Sequence, residues 1–415
     1  MRLTPALFSH AEAVMTALLA FEYPADGVLS HYFRQHRELG HADRGFVAEA
    51  CYATLRRLRS LSARCPDDQP RKLLLAAMYC LRGWNLKQLA PILKEGDAEW
   101  LAVAKAARAE DWPPAVRCDL PDWLYERLVA RFPGDMEPLA AALNRPAPLD
   151  LRVNPLKATR EAVLKQLAED HIAAEACRFS PLGIRLEEKP ALSKHPLFVD
   201  GSIEVQDEGS QLLGFLLAPK RGEMVADFCA GAGGKTLLLG ALMRSTGRLY
   251  AFDVAEKRLA NLKPRLARSG LSNVHPVRIE SENDQKVKRL AGKLDRVLVD
   301  APCSGLGTLR RNPDLKWRQS PESVEELVGK QSAILSSAAR LVKPGGRLVY
   351  ATCSLLVEEN DGVVDAFLAA HEDFAVLPAG TVMAPFGLPA DDRALRLLPQ
   401  VHGTDGFFAI AMERK

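Results

Sequence analysis

The chain has 415 residues, 47% of them hydrophobic and 26% charged, a balance typical of a globular protein with two or three domains. Its formal net charge of +3 excludes a uniformly basic nucleic-acid-binding protein, so any nucleic-acid site has to be a local patch. The eight cysteines include no CxxC pair, so neither a zinc site nor a disulfide framework is indicated, and we predict no metal. The start has no apolar signal segment, and no apolar run reaches about 18 residues, so we expect a reduced cytoplasmic protein without a membrane span.

The region up to about residue 144 has helical periodicity throughout. Apolar residues recur at helical spacing after Ala42-Asp43, and again between Arg71 and Trp84. Strand-like alternation is absent here, which predicts an all-helical domain of several short helices. The densest basic cluster of the region is interpreted as a solvated helix face, with a phosphate-contacting surface as the alternative. It consists of Arg56, Arg57, Arg59, Arg64, Arg71 and Lys72.

Residues 145–200 show a different pattern and predict a small α/β subdomain. Leu149–Val153 and Gly183–Leu186 alternate as strands, whereas Arg160–Asp170 has the periodicity of a helix. The candidates for contact with a nucleic-acid backbone in this region are Arg152, Asn154 and Lys157.

From about residue 224 the pattern is strand, glycine turn, helix and strand. The glycine turn follows the strand Val225–Phe228 and consists of Cys229, Ala230, Gly231, Ala232, Gly233, Gly234 and Lys235. Cys229 occupies the position where a Walker loop requires its first glycine, and Thr236 occupies the third glycine position of a dinucleotide fingerprint. With both phosphate loops excluded, the turn remains a place where the backbone can approach a ligand closely.

Acidic residues end the next two predicted strands. Asp253 follows Arg248–Phe252 and is placed to accept hydrogen bonds from ribose hydroxyls, and Glu280 follows Val274–Ile279. A cofactor that carries a nucleoside explains this pattern, and S-adenosylmethionine suits it better than NAD or ATP because neither phosphate loop is intact. The alternative is a generic doubly wound domain with acidic strand ends by chance.

Two further strand ends carry cysteines. The apolar run Arg296–Val299 leads into Asp300-Ala301-Pro302-Cys303, and a second run, Arg347–Ala351, leads into Thr352-Cys353-Ser354. In open α/β sheets, ligands bind at the edge formed by the carboxyl ends of the strands. Two thiols and a carboxylate at that edge suit addition of a thiolate to carbon 6 of a pyrimidine, which makes carbon 5 nucleophilic.

Each group has a part in such a reaction. Asp300 could serve as a proton donor or hydrogen-bond partner for ring nitrogen 3, and a second thiol would help to release the first. By position alone, Cys303 is the more obvious nucleophile because it lies close to Asp300.

These motifs resemble the RsmB/NOP2/Sun family of RNA (cytosine-5) methyltransferases, and the whole chain resembles the bacterial ribosomal branch of that family. The resemblance implies that Cys353 is the nucleophile and that Cys303 assists product release. It also implies that residues 229–235 form the cofactor loop, that Asp253 binds ribose and that Asp300 is the strand-end aspartate of the site. Glu280 falls on a position near the adenine that is usually Asp, and Ala232 replaces the usual Pro.

The resemblance extends along the chain. Further matches are Val205–Gln211, Arg310–Asp314 with Trp317, Glu358-Glu359-Asn360 and Asp405–Phe408. The N-terminal half is similar to the NusB-type helical domain, through Ala42–Val47, Tyr52, Leu55-Arg56 and Lys72–Ala76. Because Arg310 and Arg311 follow the first cysteine motif, we expect one of them to contact an RNA phosphate.

We therefore expect an α/β protein with a Rossmann-like class I methyltransferase domain, whose mostly parallel sheet has a C-terminal antiparallel strand. An all-helical NusB-like RNA-binding domain (1–144) and a small α/β RNA-binding subdomain (145–200) precede it, and the methyltransferase domain spans 201–415. The expected function is S-adenosylmethionine-dependent methylation of cytosine C5 in small-subunit rRNA by a monomer. The alternatives are the same chemistry on tRNA, or a non-catalytic RNA-binding assembly or antitermination factor.

Overall fold

The computed structural model describes residues 3–65, 67–388 and 393–415. The chain divides into two compact units. One combines Met1–Pro146 with Thr308–Pro321, and the other combines Ala147–Gly307 with Glu322–Lys415. None of the helices in the described ranges combines the length and the apolar character that a membrane crossing requires.

The first unit is helical throughout its described residues, which confirms the predicted all-helical N-terminal region. Its core is built from apolar side chains on the inner faces of the helices, among them Phe8, Met15, Val47 and Leu55. Thr4 caps the first helix by accepting the Leu7 N–H, as expected for a hydroxyl at this position. The α-helices are Pro5–Leu18, Ala25–Gln35, His41–Arg56, Leu58–Ser62, Pro70–Ala76, Leu86–Leu89, Asp97–Ala106, Pro114–Arg117, Asp122–Arg131, Met136–Leu143 and Leu315–Arg318, with a π-helical turn at Ala77–Leu81 and a 3-10 turn at Ala109–Asp111.

The segment Thr308–Pro321 belongs to this helical unit, although the sequence places it directly after the Pro-Cys-Ser motif. The buried Lys316 ammonium donates to the Arg56 carbonyl at 2.8 Å and to Asn144 Oδ1 at 2.9 Å. Trp317 Nε1 donates to the Leu55 carbonyl at 2.9 Å. The sequence instead predicts that these residues belong to a contiguous domain, 201–415. Their hydrogen-bond partners lie 172 to 262 positions earlier in the chain, so the contacts are visible only in the structure.

The second unit begins with a small antiparallel sheet. Its strands are β1 Leu149–Val153, β2 Ala174–Ala176, β3 Gly183–Leu186 and β4 Ile203–Val205, in the order β2-β3-β1-β4. The helix Arg160–Glu169 packs its apolar side on this sheet through Val163 and Leu167. The strand and helix patterns predicted for this stretch are therefore present.

A larger sheet forms the centre of the second unit. Its strands are β5 Met224–Asp227, β6 Arg248–Asp253, β7 Val274–Arg278, β8 Leu294–Asp300, β9 Val342–Thr352, β10 Phe374–Leu377, β11 Leu395–Leu397 and β12 Phe407–Arg414. The order is β10-β12-β9-β8-β5-β6-β7, and β11 also pairs with β12. Strands β5 to β9 pair in parallel, whereas β12 is antiparallel to β9. This confirms the predicted Rossmann-like sheet with its C-terminal antiparallel strand.

Helices accompany the strands of this sheet. They are Glu208–Leu217, Gly234–Leu242, Glu256–Ser269, Gln285–Lys288, Pro321–Ala339, Val363–Ala370, Ala379–Met383 and Pro399–His402, with a π-helical turn at Glu358–Gly362. The strand order reverses between β5 and β8, because β6 and β7 lie on one side of β5 and β8 and β9 on the other. The crevice outside the carboxyl ends of the strands at such a reversal is where ligands bind in open α/β sheets.

Candidate active site

The two cysteine motifs meet at the carboxyl ends of β8 and β9. These strands are parallel neighbours in which Asp300 pairs with Ala351, so the turns that follow them leave the sheet side by side. The sulfur atoms of Cys303 and Cys353 are 3.3 Å apart. The sheet topology therefore brings together two thiols that are 50 residues apart in the sequence.

The glycine loop follows β5 at the reversal point. Gly233 has φ 84°, in the left-handed region that favours glycine, and it precedes the helix Gly234–Leu242. A Cβ atom at Gly233 would lie 2.1 Å from Leu262 Cδ1, so any other residue here would force the Leu262 side chain to move. Backbone conformation and close packing both require glycine here.

Two arginines bind carbonyl groups of this loop. Arg152 donates to the Gly234 carbonyl at 2.7 Å and also to Gln206 Oε1, while Arg265 donates to the Ala232 carbonyl at 2.7 Å. Arg265 is in turn paired with the buried carboxylate of Glu204 at 2.9 Å. The small sheet and the helix Glu256–Ser269 thus fix the loop from two sides.

Of the candidates for nucleic-acid contact in the small subdomain, Arg152 and Asn154 are buried and Lys157 is exposed. Arg152 is 2% exposed. Asn154 is also buried and donates to the carbonyls of Gly201 and Ser269 at 3.1 and 2.9 Å, and Lys157 donates to the Asp200 carbonyl at 2.5 Å. The bonds from Asn154 to Ser269 and from Arg152 to Gly234 connect the small sheet to the larger sheet. Burial argues against Arg152 and Asn154 as backbone contacts, whereas the exposed Lys157 stays a prediction.

Carboxylates converge beside the glycine loop. Asp253 Oδ2 accepts the Gly231 N–H at 2.8 Å, and Asp300 Oδ2 accepts from Lys235 Nζ at 2.6 Å. Burial raises the pKa of Asp227 to about 7, and the nearby Asp300 and Asp253 charges add to this, against the hydrogen bond from Thr236. Asp227 Oδ1 is buried and has no hydrogen-bond partner. The site therefore offers acceptors to hydroxyl groups and to a cationic ligand.

A cavity of about 520 Å³ joins the glycine loop, the carboxylates and both cysteines, and its size suits a nucleoside-sized ligand. The predicted residues that line it are Cys229, Ala230, Gly231, Ala232, Gly234, Lys235, Asp253, Asp300, Cys303 and Cys353. Gly233 is not part of the lining, in keeping with its packing role. Residues that the sequence analysis did not single out as ligand-contacting include Gln206, Ser210, Arg258 and Glu282.

The structure does not place Glu280 in this cavity. Its side chain is exposed, and its N–H donates to Asp284 Oδ2 at 3.0 Å. Ile279 and Glu282 line the cavity instead. Strand β7 ends at Arg278, and the turn that follows brings Glu282 into the cavity lining. The run Glu280-Ser281-Glu282 offered two carboxylates, and only the path of this turn distinguishes them.

The two thiols differ in their electrostatic surroundings. The hydrogen bond with Cys353 and then burial raise the pKa of Cys303 well above its usual value. Burial by itself would lower the pKa of Lys235, but the Asp300 carboxylate more than offsets this and raises it, with a further contribution from Cys353. Lys235 is thus held as an ammonium in the cavity that both cysteines line.

The candidate phosphate-contacting residues belong to the helical unit. Arg310 is 7% exposed, whereas Arg311 is half-buried. In the basic cluster of this unit, Arg57 pairs with Asp119 at 3.0 Å, and Arg64 donates to the Ala104 carbonyl at 2.7 Å. The other members also have acceptors within the unit. The cluster connects helices, which argues against the alternative of a phosphate-contacting surface.

Comparison with known proteins identifies relatives over most of the chain. Residues 214–413 match the family described as 16S rRNA methyltransferase RsmB/F, and residues 120–193 match the ferredoxin-like domain of RsmF/B-like methyltransferases. The chain is 33% identical to a Synechocystis sp. protein named probable ribosomal RNA small subunit methyltransferase B, covering 92% of this chain and 93% of that one. It is also 33% identical to ribosomal RNA small subunit methyltransferase B of Sodalis glossinidius, with 90% of each chain covered.

Solved structures show the same fold. A methyltransferase homologue from Pyrococcus horikoshii superposes with a TM-score of 0.63 at 30% identity, covering 73% of this chain and 100% of the homologue.

Proposed function

The chain belongs to the RsmB/F family of methyltransferases, and we propose that it methylates carbon 5 of a cytosine in RNA with S-adenosylmethionine as cofactor. We propose small-subunit ribosomal RNA as the substrate, since the names of the relatives from Synechocystis and Sodalis specify that RNA. The observation that carries the choice of carbon 5 is the 3.3 Å separation of the two strand-end thiols. Methylation of an amino or hydroxyl group needs no thiol nucleophile, whereas carbon 5 becomes nucleophilic only after a thiolate adds to carbon 6.

The residues around the cavity suit this cofactor. Asp253 would accept hydrogen bonds from the ribose hydroxyls, and the glycine loop lets the backbone approach closely. Asp227 and Asp300 would attract the positive charges of the amino acid end. When bound, the cofactor supplies the methyl group.

The protein's own groups would act on the cytosine. Cys353 attacks carbon 6 as a thiolate, so the new C–S bond replaces the C5=C6 π bond and carbon 5 becomes enamine-like. The hydrogen-bonded Lys235–Asp300 pair holds a proton for ring nitrogen 3. After methylation the carbon 5 proton leaves to water, its electron pair restores the C5=C6 bond, and the C–S bond breaks. The Cys303 thiol hydrogen-bonds the departing sulfur.

The roles of the two cysteines can be separated by mutation. Cys353→Ala should abolish methylation and leave no covalent adduct with RNA. Cys303→Ala should accumulate a protein–RNA adduct that survives denaturing gel electrophoresis, because release is impaired after the adduct has formed. The reverse pattern would exchange the two roles.

The RNA class can be determined in cells. Bisulfite sequencing of rRNA and tRNA, with and without the gene, should show a 5-methylcytosine in small-subunit rRNA that depends on the gene. A dependent site in tRNA would indicate the same chemistry on another substrate. Cofactor binding without a dependent site in any RNA would indicate a non-catalytic RNA-binding factor.

We also propose that the helical region 1–144 and the small subdomain 145–200 contribute to RNA binding. Within the segment Thr308–Pro321, which belongs to the helical unit, Arg311 is the better of the two candidate phosphate contacts because it is less buried than Arg310.

A further inference from the structure

A single buried carboxylate lies beneath both cysteine turns. Glu359 belongs to the π-helical turn Glu358–Gly362, a conformation that is frequent at functional sites, and its side chain is fully buried. Its Oε1 accepts the Ser304 N–H at 2.7 Å and the Gln331 Nε2–H at 3.0 Å. Its Oε2 accepts the hydroxyl hydrogens of Ser304, at 2.5 Å, and of Ser354. The sequence motif Glu358-Glu359-Asn360 therefore lies against both cysteine turns.

The two serines connect this carboxylate to the cysteines, because each serine is the next residue after one cysteine. Ser304 directly follows Cys303, and Ser354 directly follows Cys353. The register of β8 and β9 ends where Asp300 pairs with Ala351, before either cysteine is reached. The neighbouring Asn360 strengthens the arrangement on one side, because its Nδ2 donates to the Ser354 carbonyl at 3.0 Å. Past the ladder, the hydroxyl oxygens of Ser304 and Ser354 are 3.2 Å apart, and the Gly307 N–H donates to the Cys353 carbonyl at 2.8 Å. Glu359 adds a single carboxylate that bonds to both serines and so connects the two turns through buried side chains.

We propose that Glu359 is a positioning residue that sets the distance between the two cysteine sulfurs, and thereby controls release of the covalent RNA adduct. The second half of this statement rests on the proposed function, whereas the first does not. Glu359 is not part of the cavity lining, so it would act through the cysteines and not on the cofactor.

The arrangement predicts which substitutions are tolerated. A serine hydroxyl can donate or accept, whereas the Ser304 N–H and the Gln331 amide hydrogen can only donate. In Glu359→Gln, the amide oxygen can still accept from those two donors, while its NH₂ group donates to the two serine oxygens. Glu359→Ala removes all four hydrogen bonds. A role in position should therefore survive Gln and fail with Ala, whereas a role in proton transfer should fail with both.

The test measures the two sulfurs directly, without RNA. Diamide takes up the two thiol hydrogens and joins Cys303 to Cys353, a step that must shorten the sulfur separation to about 2.05 Å. The cross-linked peptide is quantified over time by mass spectrometry. A displacement of about 1 Å can slow a reaction roughly 10²-fold, so we expect Glu359→Ala to cross-link at least about tenfold more slowly than wild type. Glu359→Gln should stay within about threefold.

A matched control separates position from general loss of stability. Glu208 is another buried glutamate of the same unit, and its Oε1 accepts the N–H groups of Phe179 and Ser180 at 2.5 and 2.9 Å. Glu208→Ala should leave the cross-linking rate unchanged. Affinity for S-adenosylhomocysteine should be the same in wild type and Glu359→Ala. If Glu359→Ala does not fold, Ser354→Ala provides the test. It removes one of the four hydrogen bonds of Glu359, together with the Ser304 contact at 3.2 Å and the bond from the Leu356 N–H at 3.1 Å, and should slow cross-linking severalfold.

The outcomes are distinct. Wild-type cross-linking in Glu359→Ala, or in Ser354→Ala where that variant is needed, would overturn the proposal, as would equal slowing by Gln and Ala at position 359. In the RNA reaction, Glu359→Ala should accumulate the adduct as Cys303→Ala does. If the protein methylates a different atom, the adduct experiments fail but the cross-linking rates remain as predicted.

Discussion

At the scale of single residues, the candidate site concentrates negative charge around one ammonium. Asp227 and Asp253 are almost fully buried near Asp300. Asp300 is the carboxylate that pairs with Lys235. A buried carboxylate without a counter-charge is costly, which is why the pKa of Asp227 rises to about 7. A ligand that carries positive charge would relieve this repulsion. The charge distribution therefore favours a cationic cofactor over an anionic phosphate. This agrees with the glycine loop, which matches neither of the two phosphate-binding motifs.

The neighbouring glutamates Glu280 and Glu282 provide a matched pair of mutations. Glu282→Ala should weaken binding of S-adenosylhomocysteine about 10- to 100-fold, because a hydrogen bond to a charged group contributes about 1.5–3 kcal/mol. Glu280→Ala should change the affinity by less than about twofold, since its exposed side chain lies outside the cavity. Isothermal titration calorimetry measures both. A larger effect at Glu280 would restore the assignment made from the sequence.

At the scale of elements, the segment Thr308–Pro321 is the least expected feature. It leaves the methyltransferase unit four residues after Ser304 and becomes part of the helical unit. Its anchor is the buried Lys316, whose pKa burial lowers to about 7. The buried Lys316 and the half-buried Trp317 both donate to backbone carbonyls of the helical unit, so this segment is an integral part of that unit.

The anchor predicts how stability depends on pH. The unfolded chain keeps the Lys316 proton up to about pH 10.4, whereas the folded chain loses it near pH 7. The unfolded state therefore binds more protons between these values, and the free energy of unfolding rises with pH in that window. Relative to Lys316→Met, which cannot titrate, the wild-type helical unit should gain on the order of 4 kcal/mol between pH 6.5 and 10.

Tryptophan fluorescence is a selective measurement for this effect. All five tryptophans lie in the helical unit, so urea unfolding followed by their emission reports that unit. Lys87→Met, at an exposed lysine of the same unit, serves as control and should track the wild type at both pH values. If the free energy of unfolding changed with pH equally in wild type and Lys316→Met, Lys316 would not be a buried lysine that loses its proton near pH 7.

At the scale of the whole molecule, a net charge of +3 means that RNA affinity has to come from a few local contacts. Because each phosphate contact releases counterions, the slope of log affinity against log salt counts such contacts. Arg311→Gln should weaken RNA binding at low salt and reduce the magnitude of that slope by about 0.7 to 0.9. Filter binding or fluorescence anisotropy at several salt concentrations measures both quantities.

The control for this prediction is an arginine of the same unit outside the candidate contact. Arg37 is exposed, and Arg37→Gln alters the net charge by the same amount as Arg311→Gln. It should leave the salt slope unchanged. Equal slopes for Arg311→Gln and wild type would remove Arg311 from the RNA contact.

Much of the fold follows from the sequence because local patterns carry it. Helical periodicity before residue 144, strands that end in Asp253 and Asp300, and a glycine turn after β5 are all readable within short windows. The meeting of Cys303 and Cys353 was also predictable, since the carboxyl ends of parallel strands share one edge. Periodicity and strand ends are properties of short stretches, and parallel pairing converts them into a site.

Other features depended on contacts between distant parts of the chain, which no local pattern encodes. The structure alone decided that Glu282 and not Glu280 faces the cavity, because that depends on the path of one turn. It also decided that Lys316 donates to the Arg56 carbonyl and that Arg152 donates to the Gly234 carbonyl of the glycine loop. The carboxylate of Glu359 joins two turns that the sequence separates by 50 residues. The sequence by itself determined which chemical groups reach the sheet edge, and the tertiary structure determined how closely they are held, because hydrogen bonds between buried groups form only once the chain has packed.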